Sequence, residues 1–188
     1  MKVRLFWIAA GLVAAVAAYA GFLLFVPSLM FSAEIARLSK GHGSNTFFIL
    51  AEQDQAQLLP GLPRSGVTGI CLFDVSNGSV TLSANLPDGF WITTIYSDKG
   101  ETIYTVNNRQ SGSNTFNVSL SRAPGFIEML AQATDKERPE IDSGWTVQSP
   151  ESQGLAVVWY PLADPALREM AAAAVARSSC SSALAPSQ

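Results

Sequence analysis

The chain has 188 residues, a net charge of −3 and a pI near 5.1. It carries no basic face to neutralise phosphates, which excludes a nucleic-acid binder. One histidine and two cysteines without CxxC spacing exclude a zinc cluster or a redox dithiol.

Met1-Lys2-Val3-Arg4 leads into an apolar run from Leu5 to Val26, and no charged residue follows until Glu34. About 20 apolar residues at ~1.5 Å rise cross a ~30 Å hydrocarbon core. Residues 1–31 are therefore predicted to form one transmembrane anchor. A helix apolar on every side suits lipid better than the surface of a globular core. Trp7 and Phe31 fall where aromatic rings favour the interfaces, and Pro27 is expected to end or kink the helix. The rival is a signal peptide cut after Ala18-Tyr19-Ala20, but Phe22 to Val26 would then become a greasy new terminus. Lys2 and Arg4 nearly balance Arg37 and Lys40 across the span, so the charge rule is close to a tie. The very short N-terminal tail favours tail inside and domain outside. In a Gram-negative cell that is the inner membrane with a periplasmic domain.

Residues 32–66 read as a juxtamembrane segment and linker. It is broken by Gly41, Gly43 and Ser44, carries one short strand at Thr46–Leu50, and ends in the loop QLLPGLPRSG. From Val67 to Ser178 the pattern is that of one domain. Gly66–Val75 is a strand, and Asn77-Gly78 supplies a tight turn. Ser79–Ala84 alternates with period two. Phe90–Tyr96 is β-branched and aromatic throughout, and Thr102–Val106 and Asn114–Leu120 follow. Pro124–Gln132 reads as a short helix. Trp145–Val147 and Leu155–Tyr160 read as a final strand pair, the second apolar on both faces and so central. Asp164 caps a helix that begins with Pro165 and runs to about Ser178. Residues 179–188 are expected to be a loose tail. The fold class is thus mainly β: an antiparallel β-sandwich or jelly-roll-like domain with two short helices, behind one transmembrane helix.

Cys71 lies in the first long strand and Cys180 just past the last helix. In an oxidising compartment one long-range disulfide is expected, closing a loop worth about 4–5 kcal/mol in the chain-entropy account. It would pin the last helix against the sheet; the alternative is two unpaired thiols.

No catalytic, cofactor-binding or metal-binding constellation stands out, so the chain reads as a non-enzyme. His42 sits in a glycine-rich linker, and no G-x-S-x-G elbow accompanies it. Gly41-His42-Gly43 lacks the third glycine of a dinucleotide fingerprint. Asn107-Asn108-Arg109-Gln110 is the most polar cluster at a strand end. Asn108 and Arg109 are weak ligand or partner candidates, Arg109 as a carboxylate clamp, and Trp91 is a third as part of an aromatic lining.

Three stretches together resemble a known family. They are Ile70-Cys71-Leu72-Phe73-Asp74-Val75, then Leu86-Pro87-Asp88-Gly89-Phe90-Trp91 continuing to Glu101, then Leu155-Ala156-Val157-Val158-Trp159-Tyr160. In order and content the chain resembles the bacterial domain of unknown function 1254, in its short membrane-anchored α-proteobacterial form. Gly61–Gly66 replaces the Asn-Gly-Asp-Thr-like signature of longer relatives. The resemblance implies a β-rich domain, an inner-membrane anchor, no established activity and a related membrane-anchored sister protein as partner. The leading expectation is a membrane-anchored envelope protein whose domain serves partner interaction. A small-molecule or lipid binder with an aromatic-lined cavity between the sheets is second, and a hydrolase third.

Overall fold

The computed structural model describes residues 2–125 and 145–182. The helix expected over 124–132 lies outside them except for Pro124 and Gly125.

Helix α1 runs without a break from Lys2 to His42. Pro27 sits inside it, where a kink or stop was expected. Two observations account for its passage. The Ser28 hydroxyl donates to the Phe25 carbonyl (3.0 Å) and the Ser32 hydroxyl to the Ser28 carbonyl (2.9 Å), which ties the turns on either side. Beyond the proline, Ile35 and Leu38 are buried against the domain, and such packing outweighs local propensity. The helix ends at Gly43, whose φ of 81° only glycine adopts freely and whose N–H returns to the Ser39 carbonyl at 2.8 Å. What reads as the start of a linker is therefore helix, with Ser32 also donating to the Asp98 carbonyl at 2.7 Å.

Among the described residues nine strands form two sheets. The larger has the order β1-β2-β8-β4-β5, with β1 Thr46–Ile49, β2 Gly66–Asp74, β4 Ile92–Ser97, β5 Thr102–Asn107 and β8 Gln153–Pro161. The smaller has the order β7-β6-β3-β9, with β3 Val80–Asn85, β6 Thr115–Arg122, β7 Trp145–Ser149 and β9 Ser179–Ser182. Helix α2 spans Glu52–Leu58 and α3 Asn108–Ser111; a 3-10 turn at Pro165–Leu167 leads into α4, Arg168–Val175.

β8 is the middle strand, paired with β2 and β4 in register Ile70↔Val157 and Ile95↔Ala156. Its apolar character on both faces follows from that place, because both faces of the larger sheet are covered. Val67, Cys71, Phe73, Ala156 and Val158 face the smaller sheet, while Ile70, Leu72, Leu155 and Val157 face a second cluster with Ile35, Leu38 and Leu58 of the helices. Close packing needs glycine at Gly154, where a Cβ would collide with the Phe73 ring and the Tyr96 carbonyl. The result is three layers: helices, large sheet, small sheet. β3 and β6 alternate buried and exposed, as a sheet wet on one face does.

Three expectations change. β7 and β8 are not a pair: β7 joins β6 in parallel and β8 sits in the other sheet. That parallel pair makes the smaller sheet mixed instead of wholly antiparallel. Residues 179–182 are not tail: β9 pairs with β3 from Val80↔Ser182 to Ser83↔Ser179. Cys180 on β9 and Cys71 on β2 have Cα atoms 6.0 Å apart and are joined as a disulfide. The bond therefore bridges the two sheets directly, and not by way of the last helix.

Candidate functional site

The largest apolar side chains that the domain leaves exposed are Phe90, Trp145, Leu167 and Met170. Three of them, Phe90, Leu167 and Met170, line one open cleft of about 510 Å³. Its walls are the β3–β4 connection (Pro87 to Phe90), the end of β8 with Leu162 and Ala163, and one face of α4.

Local chemistry builds each wall. Gly89 has φ 136°, and the Tyr160 hydroxyl donates to the neighbouring Asp88 carbonyl at 3.0 Å. Asn114 holds the Asp88 carboxylate, and its own carbonyl accepts from Leu86 N–H at 3.0 Å. The connection is thus clamped to both sheets. On the opposite wall, Asp164 caps the 3-10 turn by accepting from Ala166 N–H at 2.9 Å. Ala171 and Val175 of α4 enter the core between the sheets. Leu167, Met170 and Ala174 lie to one side of them, so the apolar stripe is wider than the core uses. Met170 is 67% exposed.

The lining contains one carboxylate, Asp88, one phenol, Tyr160, and no histidine, cysteine, serine or lysine. Among the described residues no three His, Cys, Asp or Glu side chains gather as metal ligands. The described lining presents mainly an apolar surface.

The residues singled out from the sequence lie elsewhere. Trp91, next to Phe90, turns inward, is fully buried and meets Phe116 edge-on at 5.8 Å. No partner of a folded chain can reach it. Asn108 begins α3, and its N–H reaches the Trp91 carbonyl at 3.4 Å. Its side-chain oxygen is buried without a hydrogen bond, as is the Trp91 Nε1. Arg109 is exposed and makes no ion pair among the described residues. Its N–H, with that of Gln110, is capped by the Asn107 side chain. So Trp91 and Asn108 come together at the end of β5, and Arg109 faces away. His42 stacks on Phe48 with ring centres 3.7 Å apart. Between the sheets, Phe73, Trp91, Phe116 and Leu120 are all buried.

Two carboxylates are shifted in opposite directions. Burial pushes the Asp74 carboxyl up, but hydrogen bonds from Ser76 and Gln153 outweigh it and hold the group below its usual range. Burial pushes Asp98 up, and the neighbouring charge of Glu151 adds to the rise; one Asp98 oxygen is buried without a partner. Neither lines the cleft.

A second groove of about 490 Å³ runs between α1 and α2, lined by Pro27, Met30, Phe31 and Glu34 on one side and Gln57, Leu58 and Pro60 on the other.

No family model and no curated protein matches the chain. Among solved structures, the chain is similar to the VPA0106 protein of Vibrio parahaemolyticus, with TM-score 0.55 and 10% identity over 84% of this chain. It spans 36% of that protein's length. An uncharacterised protein from Burkholderia cenocepacia matches with TM-score 0.48 and 9% identity, over 86% of this chain and 43% of the other. At 10% identity the first likeness shows the fold alone: a β-rich two-sheet domain.

Proposed function

We propose that this chain is a non-enzymatic, membrane-anchored protein whose domain receives an apolar segment of a second membrane protein in the cleft between the β3–β4 connection and α4. The observation that carries this reading is the gathering of Phe90, Leu167 and Met170 around one open cleft, where scattered single residues would be ordinary. α1 supplies a segment apolar enough to span a bilayer, with mean hydropathy 2.2 and no burial inside the protein. In the proposed topology the short N-terminal tail is cytoplasmic, the helix crosses the inner membrane and the domain is periplasmic. An oxidising compartment also suits the Cys71–Cys180 bond. The motif resemblance to domain of unknown function 1254 supports a related anchored sister chain as the partner.

The test is photo-crosslinking in membranes, with a benzophenone amino acid replacing Met170 in the full chain. A discrete heavier product that disappears on Leu167→Lys supports protein docking, and twice the chain's mass would identify a second copy. Lipid or small-molecule adducts alone would favour the binder reading. No product of any kind overturns the site. A phosphatase fused after Gln188 should be active if the domain is exported; an inactive fusion reverses the orientation.

A further inference from the structure

The groove between α1 and α2 is independent of the cleft, and its position along the chain places it. The span beginning at Leu5 fills a ~30 Å core in about 20 residues, so the hydrocarbon ends near Phe25. Yet the apolar exposure continues: Leu29 is 66% and Met30 69% exposed. Pro27, Met30, Phe31 and Glu34 recur at helical spacing and form one wall of the groove. At ~1.5 Å per residue they lie from about 3 to 14 Å beyond the hydrocarbon edge, starting in the headgroup layer.

α2 runs antiparallel to this stretch. Arg37 reaches Asp54 at 2.7 Å, whereas the earlier α1 residues Pro27 to Glu34 share the groove with the later residues Gln57, Leu58 and Pro60. As residue numbers fall along α1 towards the span, they rise along α2. The start of the loop after α2, Pro60-Gly61, is thereby delivered to the membrane side of the domain. That loop reads Leu59-Pro60-Gly61-Leu62-Pro63-Arg64. Pro60 and Gly61 are exposed, whereas Arg64 is turned back from the groove, its carbonyl accepting from Arg168 at 3.2 Å. The loop is also held in shape, since the Pro63 carbonyl accepts from Gln55 at 3.1 Å and from Trp159 Nε1 at 3.2 Å. The one carboxylate in the groove, Glu34, is engaged by Arg37.

We propose that this groove is a lipid site. One acyl chain of a bilayer phospholipid rises out of the headgroup layer to lie between Met30–Phe31 and Leu58–Pro60. Pro27, Met30 and Phe31 continue the exposed apolar surface of α1 into the groove, which is why a bilayer lipid, and not a soluble ligand, is the occupant. The inference rests on α1 as a span, and makes a second contact between the domain and the membrane.

Four glycines make a ruler for the test: a Cβ at Gly11, Gly21, Gly41 or Gly61 meets nothing within 4 Å. The described residues hold no free cysteine, so single cysteines there label cleanly. Gly21→Cys, Gly41→Cys and Gly61→Cys, each carrying bimane, are placed in nanodiscs of mixed phosphatidylcholine and phosphatidylglycerol. The quenchers are a phospholipid with an acyl-chain nitroxide and aqueous iodide. Position 61 should be quenched by the lipid nitroxide, position 41 by iodide, and position 21 by lipid alone. Met30→Gln, on an exposed side chain, should weaken lipid quenching at 61 and leave 21 unchanged. If 61 behaves like 41 while 21 is deep, the lipid site is overturned and the span stands. If 21 is also quenched by iodide, the span itself falls and the lipid site with it.

Discussion

The two sheets of this domain solve different problems. The larger is covered on both faces, by the other sheet on one side and by α1 and α2 on the other, so β2 and β8 are nearly continuous in apolar residues. Among the described residues the smaller is covered on one face only, and β3 and β6 alternate. A strand's pattern therefore reports how many of its faces are dry. It does not report what keeps them dry: in one case a sheet, in the other a helix that begins as an apolar span.

The sharpest way to break this comparison is to truncate the same side chain on the two dry faces. Leu155 faces the helices and Leu120 the space between the sheets, both fully buried. Each Leu→Ala change should cost about 2–5 kcal/mol in denaturant titration of the full chain in detergent. A cost near zero at Leu155 alone would mean that the helical layer is loosely docked. The next largest effect should come from the bond between the sheets. Cys180→Ala, or reduction of the native chain, should lower stability by about 2–4 kcal/mol, with thermal melts of oxidised and reduced protein as the readout. Identical melts would show that sheet packing needs no tie. Gly154→Ala should cost about 1–3 kcal/mol through overpacking, because Phe73 and the Tyr96 backbone occupy the space a methyl needs. Thr81→Ala, on the wet face of the smaller sheet, should stay within about 0.5 kcal/mol.

The smallest expected effect is electrostatic and has opposite signs at two aspartates. Asp98 is held above its usual range, so its ionised form is disfavoured by folding. Its penalty is present near neutral pH and is relieved as pH falls through the folded pKa. Asp74 is held below its usual range, so its contribution is present above the unfolded pKa and is lost as pH falls through the folded one. Asp98→Asn should therefore raise stability at neutral pH and Asp74→Asn should lower it. Unfolding measured between acid and neutral pH would expose a wrong sign at either site.

Much of the strand layout was legible because alternation and turn chemistry are local: β2 to β6 all fall within a few residues of their expected bounds. β8 was legible as central because only a strand dry on both faces tolerates Leu155 to Val158 in succession. Pairing was not, since nothing in Trp145–Ser149 specifies a parallel neighbour. α2 was missed because Glu52-Gln53-Asp54-Gln55 shows no apolar stripe; Gln55 is buried through polar partners, accepting from the Thr68 hydroxyl at 3.0 Å. The cleft had one sign in advance, the excess width of the α4 stripe from Leu167 to Val175. Trp91 and Phe90 show why composition alone misassigns such sites: they are adjacent aromatics, one sealed in the core and the other on the rim.

An uninterrupted α1 also sets an angular phase. Each residue advances a helix by about 100°, and the same continuous helix carries the exposed apolar surface before Pro27 and the docked residues Ile35 and Leu38 after it. In the proposed topology the heading of the cleft about the helix axis follows from the number of residues between Phe25 and Phe31. One alanine inserted there should turn the domain by about 100° around the helix while lifting it only ~1.5 Å. An inserted run of seven, close to two turns, should restore the heading. Crosslinking from Met170 across such an insertion series should rise and fall with the helical period.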